Sequence, residues 1–407
     1  MQGDSLAFRS FSGYTEEVVC VGLGDKERSV KFVHLSDLHL GKRVNEYSMM
    51  EDQGYILQQI LEILREERPD AVVIAGDVYD KSVPSAEAVT LFDSFLSELA
   101  AQEKPVLLIS GNHDSAERLS FGAGLFEKSQ VYIGAVYDGA VPRVMIPDVF
   151  GEVHFYLLPF VKPSQVRSAF PEEEIASYTD AMRVAVSHMD LDLSVRNVLV
   201  THQFVAGATR SESEILPVGG SDAVDGAVFD AFDYVALGHL HGPQQVGRPE
   251  VRYCGTPLKY SFSEKDQKKS VTIVEMGEKG SVAIRTRELV PLHDLREIRG
   301  SYEELVDRRT YEGTRTDDYL HVVLTDEEDV YDAFAKLSTI YPNIMKLEYD
   351  NTRTRAGGSV EAAAAAEKLS PIELLGRLYL QQNGQELGNA QKDWAAAMFE
   401  ELEGREG

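Results

Sequence analysis

The sequence predicts an α/β fold, and three observations lead to this prediction. Apolar runs of strand length recur between residues 31 and 240, helical stretches separate the first of these runs, and polar side chains follow the end of each run. Strands that alternate with helices are joined by right-handed crossovers and form a largely parallel sheet. Ligands bind beyond the carboxyl ends of the strands in such sheets, so we expect these polar side chains to form one site.

Five strands are predicted in this part of the chain. They lie in KFVHLSDLHLG, DAVVIAGDVYD, KPVLLISGNHD, NVLVTHQF and YVALGHLHG, where turn residues bound each apolar run. The stretches YILQQILEILREE and AEAVTLFDSFLSELAAQ lie between the first three strands. Their apolar residues recur at three- and four-residue spacing, which predicts two amphipathic helices.

The composition is that of a globular protein with an unusual charge. The 407 residues are 43% hydrophobic and 26% charged, and no apolar stretch approaches the roughly 18 residues of a membrane span. Near the start, the apolar patch VVCVGLG is short and follows acidic residues, which argues against a secretory signal. Two cysteines, Cys20 and Cys254, form no disulfide framework and are typical of a reducing cytoplasm. The net charge of −27 argues against a free-standing nucleic-acid binder, which would present a basic surface.

Each predicted strand ends in side chains that can bind a metal ion. The seven candidate ligands are Asp37, His39, Asp77, Asn112, His202, His239 and His241. Seven donors exceed the needs of one ion and suit two ions if one carboxylate binds both. We predict that Asp77 is this bridge, because a carboxylate has two oxygens and paired ions lie about 3.5–4 Å apart. Nitrogen and oxygen ligands without thiolate favour manganese, iron or zinc over magnesium, and the choice among these three stays open.

His113 is the candidate catalytic residue beside these ligands. Two adjacent metal ions activate a water molecule and stabilise charge on phosphoryl oxygens, so the predicted reaction is hydrolysis of a phosphate ester. A free imidazole at His113 can protonate the leaving oxygen or stabilise the charged phosphorane-like state. Asp80 is predicted to accept a hydrogen bond from His113 and to fix its orientation.

Each motif taken alone has a simpler explanation. Gly-Asp-x-x-Asp often forms a turn in which aspartate bonds its own backbone, and a lone Asp-x-His or His-x-His can be an ordinary loop or surface feature. The occurrence of five such motifs at five strand ends favours a common site. Three other histidines are assigned structural positions: His34 and His154 in strands of the core, and His188 on the surface.

The motifs resemble those of the calcineurin-like metallophosphoesterase superfamily. The blocks HLSDLHLGK, AGDVYDKSVPS, GNHDSAERL, DYVALGHLHGPQ and YCGTPLKYSFSE are also similar to the nuclease subunits of bacterial SbcCD complexes. These blocks lie between Phe32 and Val274, and the visible departure is Ala116, where many relatives have proline. The resemblance implies a metallophosphoesterase β-sandwich with flanking helices, a small α/β capping domain and a C-terminal helical segment.

The resemblance also implies an activity and an assembly. It implies a manganese-dependent nuclease that degrades double-stranded DNA ends in the 3′–5′ direction and cuts single strands and hairpins. The implied partner is an SbcC-type coiled-coil ATPase, in a two-plus-two assembly that contains a homodimer of this chain. One ion would be bound by Asp37, His39, Asp77 and His241, the other by Asp77, Asn112, His202 and His239, with His113 as the catalytic histidine. DNA binding by the partner would account for the acidic charge of this chain.

The remaining segments complete the predicted domain organisation. A strand–helix–strand module is predicted from YLHVVLTD, VYDAFAKLSTIY and NIMKLEYDN, and a linker from NTRTRAGGSVEAAAAAEK. The predicted ranges are 1–30 for an extension that is disordered or reflects a start placed upstream of the true one, 31–290 for the nuclease domain, 291–350 for the capping domain, 351–368 for the linker, and 369–407 for a helical partner-binding segment.

The C-terminal segment begins with a helix start signal in SPIE, where proline occupies the first helical position. Its apolar residues recur at helical spacing, which fits either docking on a partner helix or packing on its own domain. The candidate partner-binding residues are Ile372, Leu375, Tyr379, Trp394 and Met398.

Two other functions fit the predicted ligands. A metallophosphodiesterase or phosphatase that acts on a small molecule would use the same metal site. The capping region and the C-terminal helix favour a nuclease, because a small-molecule enzyme needs neither. A scaffold with a degenerate site is the third possibility, and the complete set of ligands argues against it.

Overall fold

The computed structural model describes residues 18–20, 28–214 and 222–352, and beyond these residues 354, 375–376, 379–380, 388, 391–392, 394 and 398. The chain divides into two compact units, one of residues 1–297 and 317–321, the other of residues 298–316 and 322–407. The domain boundaries drawn from the sequence stay a prediction. Among the described residues, no helix combines the length and apolar character that a membrane span requires.

The first unit is built from strands and six helices in its described part. Its strands are β1 Val18–Cys20, β2 Val30–Leu35, β3 Arg43–Val44, β4 Tyr47–Ser48, β5 Ala71–Ala75, β6 Val106–Ile109, β7 Val131–Gly134, β8 Arg143–Asp148, β9 Gly151–Leu158, β10 Arg196–His202, β11 Tyr234–Gly238, β12 Gln244–Val246, β13 Arg248–Tyr253, β14 Ser270–Met276 and β15 Val282–Glu288. Its helices are α1 Met50–Glu67, α2 Ala86–Ala100, α3 Ala116–Leu119, α4 Ala123–Phe126, α5 Pro163–Ala169 and α6 Tyr178–Ser187.

A six-stranded sheet carries the first three predicted strands. Its order is β15-β14-β2-β5-β6-β7, and β2, β5, β6 and β7 run parallel. The helices α1 and α2 connect these strands, as the apolar spacing predicted, although α1 begins before the predicted start at Tyr55. The antiparallel strands β14 and β15 extend the sheet at one edge.

A seven-stranded sheet carries the other two predicted strands. Its order is β1-β8-β9-β10-β11-β13-β12, in which β9, β10, β11 and β13 run parallel. The strand Val18–Cys20 pairs with β8. Residues 18–20 and 28–30 of the predicted extension are described, and residues 1–17 and 21–27 lie outside the described part. The expectation of a disordered extension or of a start placed upstream of the true one stays a prediction. The strand pattern alone did not predict that the five strands belong to two sheets, whereas the β-sandwich implied by the resemblance requires two.

The two sheets pack face to face and enclose the main core. Phe32 of the six-stranded sheet lies against Phe155 and Tyr234 of the seven-stranded sheet, with ring centroids 5.2 and 5.5 Å apart and edge-to-face geometry. Such aromatic pairs stabilise a core by about 0.5–1.5 kcal/mol beyond the burial of their area. The β-sandwich implied by the resemblance is confirmed.

Helices cover the outer face of the seven-stranded sheet. Val166 of α5 and Met182 of α6 are buried in a second apolar cluster with Leu199 and Leu237 of the sheet. Successive residues of a strand point to opposite faces, so β10 and β11 contribute to both clusters. His34 and His154 are buried and His188 is exposed, which confirms the positions predicted for them.

The second unit follows the predicted strand–helix–strand order. Its elements and those that lead into it are β16 Leu295–Gly300, α7 Tyr302–Val306, α8 Arg308–Tyr311, β17 Tyr319–Leu324, α9 Ala333–Ser338 and β18 Ile344–Tyr349. The three strands form a sheet in the order β16-β17-β18. The sequence predicted β17, α9 and β18 and missed β16 and the two short helices.

The C-terminal segment is described only in part. Leu375, Tyr379, Trp394 and Met398 have helical backbone, and the Trp394 side chain is 69% exposed. Ile372 and most of the predicted linker lie outside the described residues. The partner-binding role of the segment stays a prediction.

A buried ion pair joins the two sheets. The Arg196 guanidinium, 2% exposed, donates to both carboxylate oxygens of Asp148 at 2.5 and 2.8 Å and to the carbonyls of Met276 and Gly277 at 3.0 Å. Asp148 also accepts from the backbone N–H of Val30 at 2.7 Å. Burial opposes ionisation of Asp148, but its bonds with Arg196 leave its pKa below the usual value. The pair thus ties β8 and β10 of one sheet to β2 and β14 of the other.

We expect Arg196→Met to lower the free energy of unfolding by about 3–5 kcal/mol, because it leaves the Asp148 carboxylate buried and unpaired. The double variant Arg196→Met/Asp148→Asn should recover a large part of this loss, since the unpaired charge is gone. Urea unfolding measures both. Arg183→Met is the control, because its pair with Asp180 is on the surface, and it should cost less than about 1 kcal/mol. A double variant as unstable as the single one would contradict this account.

Stability should also depend on pH through Glu67. Hydrogen bonds from Arg285, with a contribution from Arg287, lower the pKa of Glu67 from 4.5 to about 2. A carboxyl whose pKa is depressed by folding contributes stability above the unfolded pKa, and this contribution disappears as the pH falls towards the folded pKa. Glu67→Gln should therefore cost about 1 kcal/mol near neutral pH, a modest value because water screens the exposed arginines. The cost should shrink between about pH 5 and about pH 3.

The measurement is the difference in unfolding free energy between Glu67→Gln and the wild type across this pH range. Glu98→Gln is a matched control on the same kind of surface, because its contact with Arg65 is 3.5 Å long and exposed. A difference for Glu67→Gln that stays constant with pH would rule out the assigned ion pair.

Candidate metal centre

The predicted ligands converge where the carboxyl ends of both sheets meet. Strands β2, β5 and β6 deliver Asp37, His39, Asp77 and Asn112 from one sheet, while β10 and β11 deliver the three histidines from the other. The sequence predicted one sheet edge, and the structure instead brings two edges together. All seven predicted ligands belong to one cluster of contacts.

The backbone is strained at four of these positions. Asp37, His39, Asp77 and His239 have φ values of 53°, 45°, 48° and 103°, in the left-handed region. Such conformations cost about 1–3 kcal/mol each and persist where the surroundings enforce them. Backbone hydrogen bonds from Asp37 to Gly76 and from His39 to Asp77, both 3.0 Å long, hold the first two ligand loops together.

Asp77 occupies the centre of the cluster. Its Oδ2 lies 3.3 Å from Nε2 of His202 and 3.7 Å from Nε2 of His39, and its Oδ1 accepts from the backbone N–H of His113 at 2.8 Å. Asp37 accepts from the backbone N–H of His239 at 3.0 Å. The central carboxylate is the arrangement that a bridging ligand requires, and the bridging role itself stays a prediction.

Asn112 connects the histidines on the open side of the cluster. Its Oδ1 lies 3.0 Å from Nε2 of His202 and 2.8 Å from Nδ1 of His239. Nδ1 of His202 donates to the carbonyl of Ala75 at 2.8 Å, which directs Nε2 towards the cluster. Asn112 is exposed and His113 is half-buried, whereas His39, His202 and Asp37 are fully buried. A substrate can therefore reach the cluster from the side of Asn112 and His113.

The donor atoms of the clustered residues suit divalent cations. Both ring nitrogens of His39 and Nε2 of His239 are buried and have no hydrogen-bond partner among the described residues. Buried polar atoms are normally paired, so unpaired nitrogens beside two carboxylates mark a place for a cation. Ligand atoms of Asp37, His39 and Asp77 all lie within 4.8 Å of one another. Nitrogen and carboxylate oxygen are suitable donors for such ions.

The pKa values of the buried groups also favour bound cations. Burial raises the pKa of Asp37 to about 7. Burial opposes charge on His202 as well, but the Asp77 carboxylate outweighs it and raises the pKa of that imidazole to about 9. Burial also lowers the pKa of His39 and His241, which keeps these imidazoles neutral, the form that binds metal. Positive charge supplied by bound cations would stabilise both buried carboxylates.

Asp80 approaches His113 in a different way from the one predicted. Nδ1 of His113 donates to the backbone carbonyl of Asp80 at 2.8 Å, not to its carboxylate. The carboxylate instead accepts from Nζ of Lys42 at 2.8 Å and lies 3.7 Å from Nδ1 of His39. The carbonyl can only accept, so Nδ1 of His113 carries the hydrogen and Nε2 is left free. Asp80 thus orients His113 through its main chain.

The motifs did not predict a role for Asp114, which shapes two ligand loops. Its carboxylate accepts from the backbone N–H groups of Gly111, Val78 and Tyr79 at 2.9, 3.1 and 2.9 Å. The aspartate was visible as the last residue of GNHD, and its role could have been suspected from the tendency of aspartate to bond loop backbone.

Gln53 and Tyr260 were also missed. The Gln53 amide, buried on α1, donates to the His39 carbonyl at 2.8 Å and to the Tyr260 hydroxyl at 2.9 Å, and it accepts from Gly41 at 3.0 Å. These bonds fix the loop that carries His39. Residue type and spacing do not reveal these roles, because the contacts form only when the chain folds.

Comparison with known proteins identifies the family. The sequence model for calcineurin-like phosphoesterases matches residues 30–243. The chain belongs to the calcineurin-like phosphoesterase family. A second family model, described as the type 5 capsule protein repressor C-terminal domain, matches residues 291–383. The metallophosphoesterase assignment from the sequence motifs is confirmed, and this phosphoesterase is a metal-dependent phosphodiesterase.

One relative and two structures illustrate the similarity. SbcD, a subunit of the nuclease SbcCD, from Staphylococcus epidermidis is 37% identical over 322 residues, which cover 78% of this phosphoesterase and 85% of that protein. A dimetal phosphatase from Danio rerio shares 12% identity, with a TM-score of 0.38, over 65% of this chain and 98% of that one. The protein TT1561 of Thermus thermophilus shares 11% identity, with a TM-score of 0.36, over 63% of this chain and 99% of that one. The first is a homologue.

Gly111→Ala should weaken metal binding by at least about 10-fold, because this glycine approaches the central carboxylate. A Cβ at Gly111 would lie 2.1 Å from Oδ1 of Asp77 and 2.5 Å from its backbone nitrogen, so Asp77 would have to move. Calorimetric titration of metal-free protein with Mn²⁺ measures the effect. Gly124→Ala is the matched control, because nothing lies within 4 Å of a Cβ there. Equal Mn²⁺ affinity in the two variants would contradict the central position of Asp77.

Proposed function

We propose that this chain is the nuclease subunit of a complex with an SbcC-type ATPase. It hydrolyses DNA phosphodiesters with bound Mn²⁺, as a 3′–5′ exonuclease on double-stranded ends and an endonuclease on single strands and hairpins. Its role is the processing of DNA ends in repair and recombination, in the cytoplasm. The 37% identity to SbcD of Staphylococcus epidermidis carries this proposal.

The extent of that similarity supports the nuclease over a small-molecule enzyme. The 322 aligned residues exceed the stretch 30–243 that the phosphoesterase model matches, and a separate family model matches residues 291–383. The similarity therefore continues through the region predicted to cap the active site. A metallophosphodiesterase or phosphatase for small molecules is not favoured.

We assign the metal ligands as the sequence predicted. Asp77 would bind both ions. Asp37, His39 and His241 would complete one site, and Asn112, His202 and His239 the other. When bound, the pair of divalent cations supplies positive charge to the phosphoryl oxygens and an acidified water molecule. Support for this assignment comes from the unpaired nitrogens of His39 and His239 and from the central position of Asp77.

His113 is assigned to proton transfer. Its Nδ1 hydrogen is occupied by the Asp80 carbonyl, so Nε2 is the nitrogen available to the substrate. As an imidazolium, with protons on both ring nitrogens, His113 would pass the Nε2 proton to the leaving oxygen of the cleaved strand, which offsets the charge that develops there. The backbone N–H of His113 donates to Asp77, so the same residue is tied to the central carboxylate.

We assign partner binding to the C-terminal segment. Trp394 is 69% exposed and Met398 is 36% exposed, and both are helical. Exposed large apolar side chains are common at docking sites. With a net charge of −27, the chain would rely on its partner for a large part of the DNA contact. The proposed assembly is a two-plus-two heterotetramer built on a homodimer of this chain.

The test is cleavage of an end-labelled DNA hairpin by the chain in Mn²⁺, alone and with the partner ATPase. His113→Ala should reduce the rate about 100- to 10,000-fold, because it removes the proton donor. Mn²⁺ binding should persist, since His113 is not among the proposed ligands. His188→Ala is the matched control, because His188 is an exposed histidine at the C-terminal end of α6 and is not among the proposed site residues, and it should cleave normally.

A simple phosphodiester, bis-p-nitrophenyl phosphate, separates the two candidate functions. Turnover of this ester with the DNA left intact, even when the ATPase is present, would favour a small-molecule enzyme. Normal hairpin cleavage by His113→Ala would remove His113 from the mechanism while leaving the nuclease assignment in place.

A further inference from the structure

His241 is bonded on both of its polar sides by residues to which the sequence motifs assign no role. Nδ1 of its ring lies 2.7 Å from Oγ of Ser213, and that hydroxyl donates to Oε1 of Glu264 at 2.6 Å. Glu264 Oε1 is itself 3.4 Å from the same ring nitrogen. The backbone N–H of His241 donates to Glu214 at 2.6 Å. Neither the ring nor the backbone of this histidine is free to turn.

The direction of these bonds fixes the tautomer of His241. A serine hydroxyl has one hydrogen, and here it goes to the carboxylate of Glu264, which only accepts when ionised. Towards His241 the hydroxyl oxygen must therefore accept, so Nδ1 carries the ring hydrogen. Nε2 then has a free lone pair.

A buried lysine keeps Glu264 in place. Glu264 is fully buried, and Lys269 is 4% exposed. The Lys269 ammonium donates to Glu264 at 2.6 Å, to the Thr256 hydroxyl at 2.8 Å and to the His241 carbonyl at 2.9 Å. A buried ion pair is tolerated when hydrogen bonds satisfy both partners, as they do here. The ammonium therefore links the carboxylate to the main chain of the same histidine.

We propose that Ser213 and Glu264 are positioning residues that present Nε2 of His241 to a metal ion. This inference rests on the proposed metal centre and adds residues outside its ligand set. Partners that accept from the second nitrogen of a metal-binding histidine orient the ring and raise its basicity, and their loss typically costs about 10- to 100-fold in metal affinity. Ser213 links the His241 ring to Glu264, and Lys269 holds Glu264 in place.

The first test is calorimetric titration of metal-free Ser213→Ala with Mn²⁺. One of the two ions should bind about 10- to 100-fold more weakly than in the wild type. Ser213→Thr keeps the hydroxyl and should restore the affinity. Ser263→Ala is the matched control, because Ser263 accepts from the backbone of Glu212 beside the same loop and, in the described part of the chain, none of its hydrogen bonds goes to His241, so both ions should bind normally.

A second pair of measurements separates positioning from folding. Urea unfolding of the metal-free proteins should be the same for Ser213→Ala and Ser263→Ala, although their Mn²⁺ affinities differ. The double variant Glu264→Gln/Lys269→Met removes the carboxylate charge without leaving an unpaired ammonium. It should weaken binding of the same one of the two Mn²⁺ ions. The electron paramagnetic resonance signal of free Mn²⁺ measures how many ions stay bound.

The outcomes are distinct. Wild-type affinity for both ions in Ser213→Ala and in the double variant would overturn the inference and leave the metal centre standing. Weak binding in the double variant alone would support Glu264 and overturn the role of Ser213. A wild-type protein that binds no Mn²⁺ would overturn the metal centre and this inference together.

Discussion

The close approach of the two sheets at their carboxyl ends is the constraint on which the site depends. His202 on β10 donates through Nδ1 to the carbonyl of Ala75 on β5 at 2.8 Å, across the gap between the sheets. A Cβ at Gly238 would lie 1.9 Å from that same carbonyl, so only glycine lets the backbones come this near. The core that holds the sheets face to face, with Phe32 packed on Phe155 and Tyr234, keeps this spacing. The packing of apolar residues thus sets the distances between the polar ones.

The cluster is costly to the protein in the absence of cations. It buries two carboxylates side by side, holds four residues in left-handed backbone conformations and leaves imidazole nitrogens without partners among the described residues. Stability must come from elsewhere, and the Arg196–Asp148 pair contributes by tying the sheets together through β2 and β14. Local strain at a functional site that the rest of the fold offsets is a general pattern in enzymes.

The meeting of the seven candidate ligands in one cluster was predictable from the sequence because each follows an apolar strand directly. D-x-H, G-D-x-x-D, G-N-H-D and G-H-x-H are local patterns, so the side chains and their positions at strand ends can be identified without knowledge of the fold. The division into two sheets was not predictable, because apolar runs carry no record of which strand pairs with which. The contacts of Gln53 with His39 and of Ser213 with Glu264 were missed for the same reason, since their partners are brought together only by folding. The interaction between Asp80 and His113 was predicted between the right residues but through the wrong atom, because residue types do not distinguish a carboxylate from a backbone carbonyl.

The span of chain that separates the ligands affects how the enzyme is made. The bond from the backbone of His239 to Asp37 joins residues 202 positions apart. Contacts of such sequence separation form late, because the loop between them must close first. During synthesis the chain grows from its N-terminus, so β2, β5 and β6 emerge long before β11. A nascent chain that ends before β11 lacks His239 and His241, two of the seven candidate ligands. The order of synthesis therefore delays assembly of the complete cluster until more than half of the chain has been made. A nuclease activity that could damage nucleic acid does not form on the ribosome before that point.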